Sequence, residues 1–244
     1  MDHQIVSREE WIEARKALLA KEKEETHIRD DVNKTRLALP WVGVEKNYVF
    51  ETPKGRKHLG DLFESRSQLI VYHFMLGPGW KAGCPGCSFL ADHLDGALAH
   101  LNYHDVTLTA VSRGPLTEIE KYKARMGWKF PWISSHGSDF NFDFHVSFLK
   151  EARGKGATEY NYSDLPRRPD AEEGDTELPG LSAFYQDREG RIFHTYSSYA
   201  RGPESLIGTL MILDRAPLGR NETGTMSFVR RHDEYDQPAQ AGHG

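Results

Sequence analysis

The sequence predicts an α/β domain built on a central mixed sheet flanked by helices. Apolar runs at residues 69–76 and 106–111 have the length and the β-branched and aromatic character of buried strands. Helical spacing of apolar residues fills the interval between them, so the two strands should be parallel, with a right-handed crossover. Two further runs, 181–186 and 191–196, flank Asp187-Arg188-Glu189-Gly190 and predict an antiparallel β-hairpin.

An N-terminal helical arm is predicted ahead of this domain, over residues 1–38. Ser7 and Glu10 have the spacing of a capping box, which places the start of the helix at Arg8. The apolar stripe of the helix is narrow and more than half of residues 8–36 are charged, so most of its surface should be solvated. We expect the arm to lie across the main domain or against a partner subunit, and a homodimer through this helix is one such arrangement.

The main domain is predicted over residues 39–222. Loose alternation at 41–50 indicates its first strand, which ends before the turn sequence Thr52-Pro53-Lys54-Gly55. A helix at 116–126 should follow the second buried strand, and a last helix at 204–213 should follow the hairpin.

Two segments lack regular periodicity. Residues 136–180 are rich in glycine and proline, and we interpret them as an insertion before the C-terminal hairpin. Residues 223–244 are predicted to form a flexible C-terminal tail. The remaining order is strand, helix, parallel strand, helix, hairpin and helix, which is the order of a thioredoxin-like fold of the peroxiredoxin/TlpA type.

Composition excludes several classes of partner. The chain has 244 residues and a formal net charge of −5, which argues against nucleic acid or an anionic membrane surface. Its longest apolar run is about eight residues, far below the ~20 that a membrane-spanning helix needs. The charged N-terminal residues show no signal-peptide pattern, so a cytoplasmic protein is expected.

The only two cysteines form the motif Cys84-Pro85-Gly86-Cys87, at the start of the helix after the first buried strand. In a reducing compartment such a motif indicates redox or metal chemistry rather than a structural disulfide. The positive end of the helix should stabilise a thiolate at Cys84, the predicted nucleophile, with Cys87 as the resolving thiol. We therefore expect thiol–disulfide exchange with a protein or small-molecule disulfide or thiol, and no cofactor.

Four other residues are predicted to contact a substrate at this motif. Trp80 lies four residues before the first cysteine, and Pro85 lies within the motif. Trp132 belongs to an aromatic group that could line a cleft, although such a group is also typical of plain core. Pro179, just before the hairpin, is preferred over Pro131 as a cis-proline facing the cysteines, and the alternative for both is an ordinary trans-proline.

Other functions use the same position in the fold. Two thiolates and a histidine suit copper or zinc, and His73, His93, His136 and His145 are candidates, none of them singled out by its position. A catalytically inert binding module is the other alternative. Peroxide reduction is less expected, because Lys81 stands three residues before the first cysteine, where peroxiredoxins usually have a threonine.

Several short segments carry a family resemblance. They are Ala20-Lys21-Glu22-Lys23-Glu24, Leu39-Pro40-Trp41-Val42, Glu45-Lys46-Asn47-Tyr48, Tyr72-His73-Phe74-Met75-Leu76, Gly127-Trp128-Lys129-Phe130-Pro131-Trp132, Asp139-Phe140-Asn141 and Leu213-Asp214-Arg215-Ala216-Pro217-Leu218-Gly219-Arg220. With them the chain resembles, from about residue 7 to 222, the bacterial thioredoxin-like proteins grouped as domain of unknown function 899. The resemblance implies a thioredoxin-like fold and no particular activity, since the family has none assigned.

Overall fold

The computed structural model describes residues 3–149, 159–164 and 176–235. The chain divides into two units, Met1–Trp41 and Val42–Gly244, each held together by its own contacts. The cysteine motif lies in the larger unit.

The smaller unit contains one long helix, α1 (Arg8–Leu37). At its first turn the Ser7 amide donates to the Glu10 carboxylate at 2.9 Å, and the Glu10 amide donates to the Ser7 hydroxyl at 3.2 Å. The predicted capping box and the start at Arg8 are therefore confirmed. No residue of α1 is buried, and apolar side chains such as Trp11 and Leu18 are about half exposed. A homodimer through this helix stays a prediction.

In its described part, the larger unit has short helices and many short strands. The strands are β1 (Val42–Gly43), β2 (Val49–Thr52), β3 (Gly55–His58), β4 (Gln68–His73), β5 (Val106–Ser112), β6 (Trp132–Ser134), β7 (Ser147–Phe148), β8 (Glu159–Tyr160), β9 (Ser163–Asp164), β10 (Thr176–Glu177), β11 (Gly180–Gln186) and β12 (Ile192–Tyr199). The helices are α2 (Pro85–Ala91), α3 (Leu98–Tyr103), α4 (Leu116–Met126), α5 (Phe140–Asp143) and α6 (Gly208–Leu213). Across the described ranges, every helix is too short or too polar to span a bilayer.

An eight-stranded mixed sheet forms the centre of this unit, in the order β1-β12-β11-β4-β5-β6-β2-β3. β4 and β5 run parallel, with Gln68 opposite Val106 and His73 opposite Val111, and β6 continues the parallel set. On the other side of β4 lies the hairpin β11–β12, antiparallel to it, with Gly180 opposite His73. The predicted parallel pair and hairpin are confirmed, and the sheet with its flanking helices is a thioredoxin-like fold.

Alternating side chains of β4 divide the interior into two hydrophobic cores. Leu69 and Val71 face the core that contains Phe140 and Phe184. The core on the opposite face contains, among others, Tyr72, Phe74, Leu90, Trp132 and Leu210. Because α2 packs into the second core, the cysteine motif belongs to that face of the sheet.

The single helix predicted between the two buried strands is wrong, because the chain forms α2 and α3 with a tight turn at Asp95–Ala97 between them. The Asp95 carboxylate accepts the backbone amides of Lys129 and Phe130, at 2.9 and 2.7 Å respectively. These tertiary hydrogen bonds, together with the low helix propensity of Gly96, favour a break where the apolar spacing alone indicates continuity.

Within the predicted insertion at residues 136–180, β7 pairs with β10 and β8 pairs with β9. Val146, Phe148 and Tyr160 form a small core with Tyr199 of the hairpin. Residues 150–158 and 165–175 lie outside the described residues.

The flexible tail predicted from residue 223 is wrong for residues 223–235, which pack against the rest of the larger unit. Val229 is buried in the core that holds α2, and the ring of Phe228 meets that of Phe89 edge-on at 6.0 Å. One short apolar pair among polar residues shows no periodicity, so the sequence pattern could not reveal this packing. Residues 236–244 lie outside the described residues.

Candidate functional site

The cysteine motif lies where the loop after β4 enters α2. A Cβ atom at Gly83 would lie 2.5 Å from the Phe74 ring and 2.8 Å from the Tyr122 ring, so this close approach requires glycine. The Cys84 amide donates to the Met75 carbonyl at 3.1 Å, which ties the motif to the end of β4. Cys84 is thereby held at the N-cap of α2.

The two sulfurs have different surroundings. Both cysteines are free thiols, Cys84 partly exposed and Cys87 buried. The Met75 amide donates to the Cys87 sulfur at 3.5 Å, and the hydroxyl of the buried Tyr72 also hydrogen-bonds to this sulfur. Pro85, at the first helical position, is exposed beside Cys84, where its predicted contact with a substrate stays a prediction.

The pKa values of the two thiols move in opposite directions. A hydrogen bond from the Cys87 thiol is the largest effect that lowers the pKa of Cys84 to about 6; the Cys87 and Gly86 amides and the charge of Arg231 add to it, while burial opposes it. Burial, followed by interaction with the Cys84 sulfur, raises the pKa of Cys87 well above its usual value. Negative charge is therefore favoured on the sulfur that solvent can reach.

Three further residues support the motif, and sequence reasoning missed all of them. The Ser88 hydroxyl donates to the Cys84 carbonyl at 2.9 Å and lies 2.9 Å from the hydroxyl of Tyr122. Arg231 donates through Nε and Nη2 to the Gly83 carbonyl at 3.0 and 2.8 Å. The spacing of Ser88 from Cys84 on a helix was a signal for the first contact, whereas nothing in the sequence pointed to the other two residues.

Trp132 does not line the site, so its prediction as a substrate contact is wrong. Its side chain is 1% exposed, its ring centroid lies 4.4 Å from that of Phe74, and its Nε1 donates to the Ser112 hydroxyl at 3.0 Å. An indole this enclosed, with its polar atom satisfied, is a core residue. Trp80 is partly buried against the same core, and its contact with a substrate stays a prediction.

The predicted cis-proline is also wrong. Throughout residues 3–149, 159–164 and 176–235 the peptide bonds are trans, those of Pro131 and Pro179 included. The Pro179 carbonyl accepts the hydroxyl of Tyr160 at 2.7 Å, so this atom is already used inside the protein rather than open to a substrate.

Two of the histidines considered as a third metal ligand, His73 and His93, are engaged elsewhere. His73 lies on the opposite face of the sheet from the cysteines, beside the Phe140 ring. His93 lies 2.8 Å from the Phe89 carbonyl and 2.9 Å from the Thr209 hydroxyl. The described part of the chain contains no group of three or more histidine, cysteine, aspartate or glutamate side chains that could hold a metal ion. The metal alternative thus lacks a ligand set there.

Comparison with known proteins gives the family. Peroxidoxin BcpB from Mycobacterium tuberculosis is 15% identical, with a TM-score of 0.44, over 72% of this chain and 97% of that one. A PrxQ mutant from Xylella fastidiosa is 13% identical, with a TM-score of 0.42, over 70% and 94%. No curated protein matches the sequence. The profile of the family described as "Bacterial protein of unknown function (DUF899)" matches residues 1–235. The chain belongs to the DUF899 family.

Proposed function

We propose that this protein is a thiol–disulfide oxidoreductase in which Cys84 is the nucleophile and Cys87 the resolving thiol. The observation that carries the proposal is the pair itself: a partly exposed thiol at the N-cap of α2 and a buried thiol one turn inward, on the core side. This is the spacing that permits a disulfide between the two residues.

The reaction takes place in two exchange steps. The Cys84 thiolate attacks a substrate disulfide RS–SR′, so that a bond between Cys84 and SR forms and R′S⁻ leaves. The Cys87 thiol then loses its proton to a departing thiolate and attacks the Cys84 sulfur, which forms the Cys84–Cys87 disulfide and releases RS⁻. Two electrons pass from the protein dithiol to the substrate. A dithiol reductant restores the protein, and the reverse sequence oxidises a dithiol substrate.

The surroundings of each sulfur suit its step. With its pKa lowered to about 6, Cys84 is mostly thiolate near neutral pH, and partial exposure lets a substrate reach it. The raised pKa and burial of Cys87 keep it protonated and out of contact with external disulfides until the mixed disulfide has formed. These properties support the assignment of the two roles in this order.

The test combines the alkylation kinetics of Cys84 with a redox titration. Cys84 should be alkylated with a pH midpoint near 6, and a glutathione buffer should convert the pair reversibly into one disulfide. Cys84→Ser should abolish reduction of both a small aromatic disulfide and a protein disulfide. The matched Cys87→Ala variant should retain the first attack and accumulate the mixed disulfide.

The opposite results would identify an inert module. A midpoint close to the ordinary cysteine value of 9 would contradict the proposal, as would failure to form a reversible Cys84–Cys87 disulfide. Unchanged turnover in Cys84→Ser would assign any observed activity to another group.

A further inference from the structure

Residues 222–235, which we call the C-terminal strap, form part of the wall around the cysteine motif. The methyl group of Met226 lies 3.7 Å from the position of a Cβ atom at Gly86, and the Cys84 sulfur lies 3.9 Å from the same position. Val229 is buried in the core that contains α2. The strap therefore covers the helix that carries both cysteines.

Polar contacts at the end of the strap hold it in this place. Arg125 of α4 donates from Nε and Nη2 to the two carboxylate oxygens of Asp233, at 2.7 and 3.0 Å, and from Nη2 to Glu234 at 3.0 Å. His232 lies 2.6 Å from the Asp92 carboxylate, which closes α2. A two-point arginine–carboxylate contact fixes orientation as well as distance, so the strap has a defined register on α2 and α4.

Arg231 brings the strap to the backbone of the motif. Its Nε and Nη2 atoms donate to the Gly83 carbonyl at 3.0 and 2.8 Å, and its Nη1 donates to Glu234 at 2.8 Å. The side chain is 19% exposed, so its charge is partly shielded from solvent. Gly83 directly precedes Cys84, so the guanidinium binds the backbone of the residue next to the proposed nucleophile.

We propose that Arg231 is a positioning residue of the redox site, which fixes the carbonyl of Gly83 and places a permanent positive charge beside the sulfur of Cys84. The catalytic consequence rests on the proposed function, because only an exchange reaction uses the Cys84 thiolate. The lowered pKa of Cys84, to which the charge of Arg231 contributes, agrees with this geometry.

Among the described residues, the titratable and charged groups that interact with Cys84 include Cys87 from α2, Tyr72 from β4 and Arg231 from the strap. Tyr72 is uncharged near neutral pH, because burial raises its pKa well above the usual value. Tyr122 of α4 also borders Arg231, through its hydroxyl. Glu234 pairs with Arg231 and with Arg125, and Asp233 also pairs with Arg125, so carboxylates of the strap oppose the charge of Arg231.

Arginine suits this place better than lysine. Its planar group presents several N–H donors, so two of them can point at one carbonyl while a third reaches Glu234. A lysine would keep the charge but could not reproduce the two hydrogen bonds to the Gly83 carbonyl in the same geometry. The Arg231→Lys variant therefore separates the effect of charge from the effect of attachment.

The experiment measures the pH midpoint of Cys84 alkylation in the full chain, with the site of modification read by mass spectrometry. Arg231→Gln should raise the midpoint by about half a pH unit, so that alkylation at pH 6 falls about twofold. Arg231→Lys keeps the positive charge, so its alkylation midpoint should lie close to that of the wild type. The matched control Arg230→Gln removes the same charge from the neighbouring exposed residue and should leave the midpoint unchanged.

A second variant keeps the test valid if Arg231→Gln folds poorly. Glu234→Gln removes the carboxylate that opposes Arg231, so the midpoint should move downward, opposite to the first variant. No shift in either variant would overturn the proposal, as would equal shifts in Arg231→Gln and Arg231→Lys, which would indicate attachment of the strap alone.

The outcomes also separate this inference from the proposed function. A midpoint that responds to Arg231 in a protein that forms no reversible disulfide would support the positioning role and contradict thiol–disulfide exchange. A reversible Cys84–Cys87 disulfide whose alkylation midpoint does not change in the Arg231 variants would support thiol–disulfide exchange and contradict the positioning role.

Discussion

The Nε2 atom of His73 lies 2.8 Å from the hydroxyl of Ser182, and the two residues begin a chain of polar side chains across the sheet face opposite the cysteines. The Ser182 hydroxyl lies 2.8 Å from that of Ser197, which in turn lies 2.7 Å from Nε2 of His194. Burial lowers the pKa of His73 to about 3, so its ring is neutral in the folded protein.

The buried His73 should make the free energy of unfolding depend on pH. Unfolding returns this histidine to a pKa of 6.5, so below that pH the unfolded state binds a proton that the folded state excludes. The stabilisation is complete above about pH 6.5 and is lost as the pH falls toward 3. Urea unfolding should therefore show that the free energy of unfolding falls more steeply in the wild type than in His73→Asn as the pH is lowered through this window. The difference in slope should be about 1.4 kcal/mol per pH unit.

His104→Asn is the control for this prediction, because His104 is exposed and should leave the steep dependence in place. If the free energy of unfolding of wild type and of His73→Asn changes in parallel from neutral pH down to about pH 4.5, the folded and unfolded states bind the His73 proton equally and the prediction is wrong.

Removal of the Cys87 thiol should make Cys84 less acidic. The hydrogen bond from Cys87 is the largest of the effects that lower the pKa of Cys84, so Cys87→Ala should move the alkylation midpoint from about 6 upward, short of the ordinary value of 9. The midpoint should stop short because the Gly86 amide and Arg231 remain. A midpoint that stays near 6 in Cys87→Ala would mean that the amides and Arg231 are sufficient.

Tyr72 should affect the second exchange step more than the first. Its hydroxyl lowers the pKa of Cys87, so Tyr72→Phe should slow formation of the Cys84–Cys87 disulfide several-fold and change stability by about 1 kcal/mol. With a chromogenic aromatic disulfide, the first release of aromatic thiolate should keep its rate while the second slows. Tyr103→Phe alters an exposed ring and should leave both phases unchanged. Slowing of the first phase alone would contradict this role.

Gly83 should tolerate no side chain. A Cβ atom there would lie 2.5 Å from the Phe74 ring, and because that ring is enclosed in the core, Gly83→Ala should cost about 1–3 kcal/mol in urea unfolding. Gly86→Ala is the matched control within the same motif, since its nearest neighbour would be 3.7 Å away. It should be neutral or stabilise by about 0.4–1 kcal/mol. Equal losses in the two variants would contradict the steric explanation.

Local signals were sufficient to place the two cysteines. The apolar run of β4, the glycine-rich loop and Pro85 at the first helical position all act within a few residues, so the strand–helix junction at Cys84 could be predicted. Trp132 could not be assigned in the same way, because a buried core and an apolar cleft have the same composition. Its burial depends on Phe74 and other rings that arrive from distant parts of the chain.

The residues that shift the pKa values of the two thiols could not be identified from any local sequence pattern. Arg231 lies in a polar segment that resembles a tail, and only its contact with the Gly83 carbonyl makes it part of the site. Tyr72 looks like one more apolar residue of β4, and its role depends on the neighbouring sulfur of Cys87. The same applies to Asp95, whose contacts with Lys129 and Phe130 divide α2 from α3.

The sequence alone is thus enough for the two buried strands, their parallel pairing, the hairpin and the position of the cysteine pair. The strands, the hairpin and the cysteine position depend on periodicity, turn chemistry and capping between residues close together along the chain, and the parallel pairing follows from the crossover that connects consecutive strands. The tertiary structure decides which sulfur is charged, which aromatic residues are core and how residues 223–235 pack. Burial and electrostatic interaction add up over all neighbours in space, and most of those neighbours are remote in sequence.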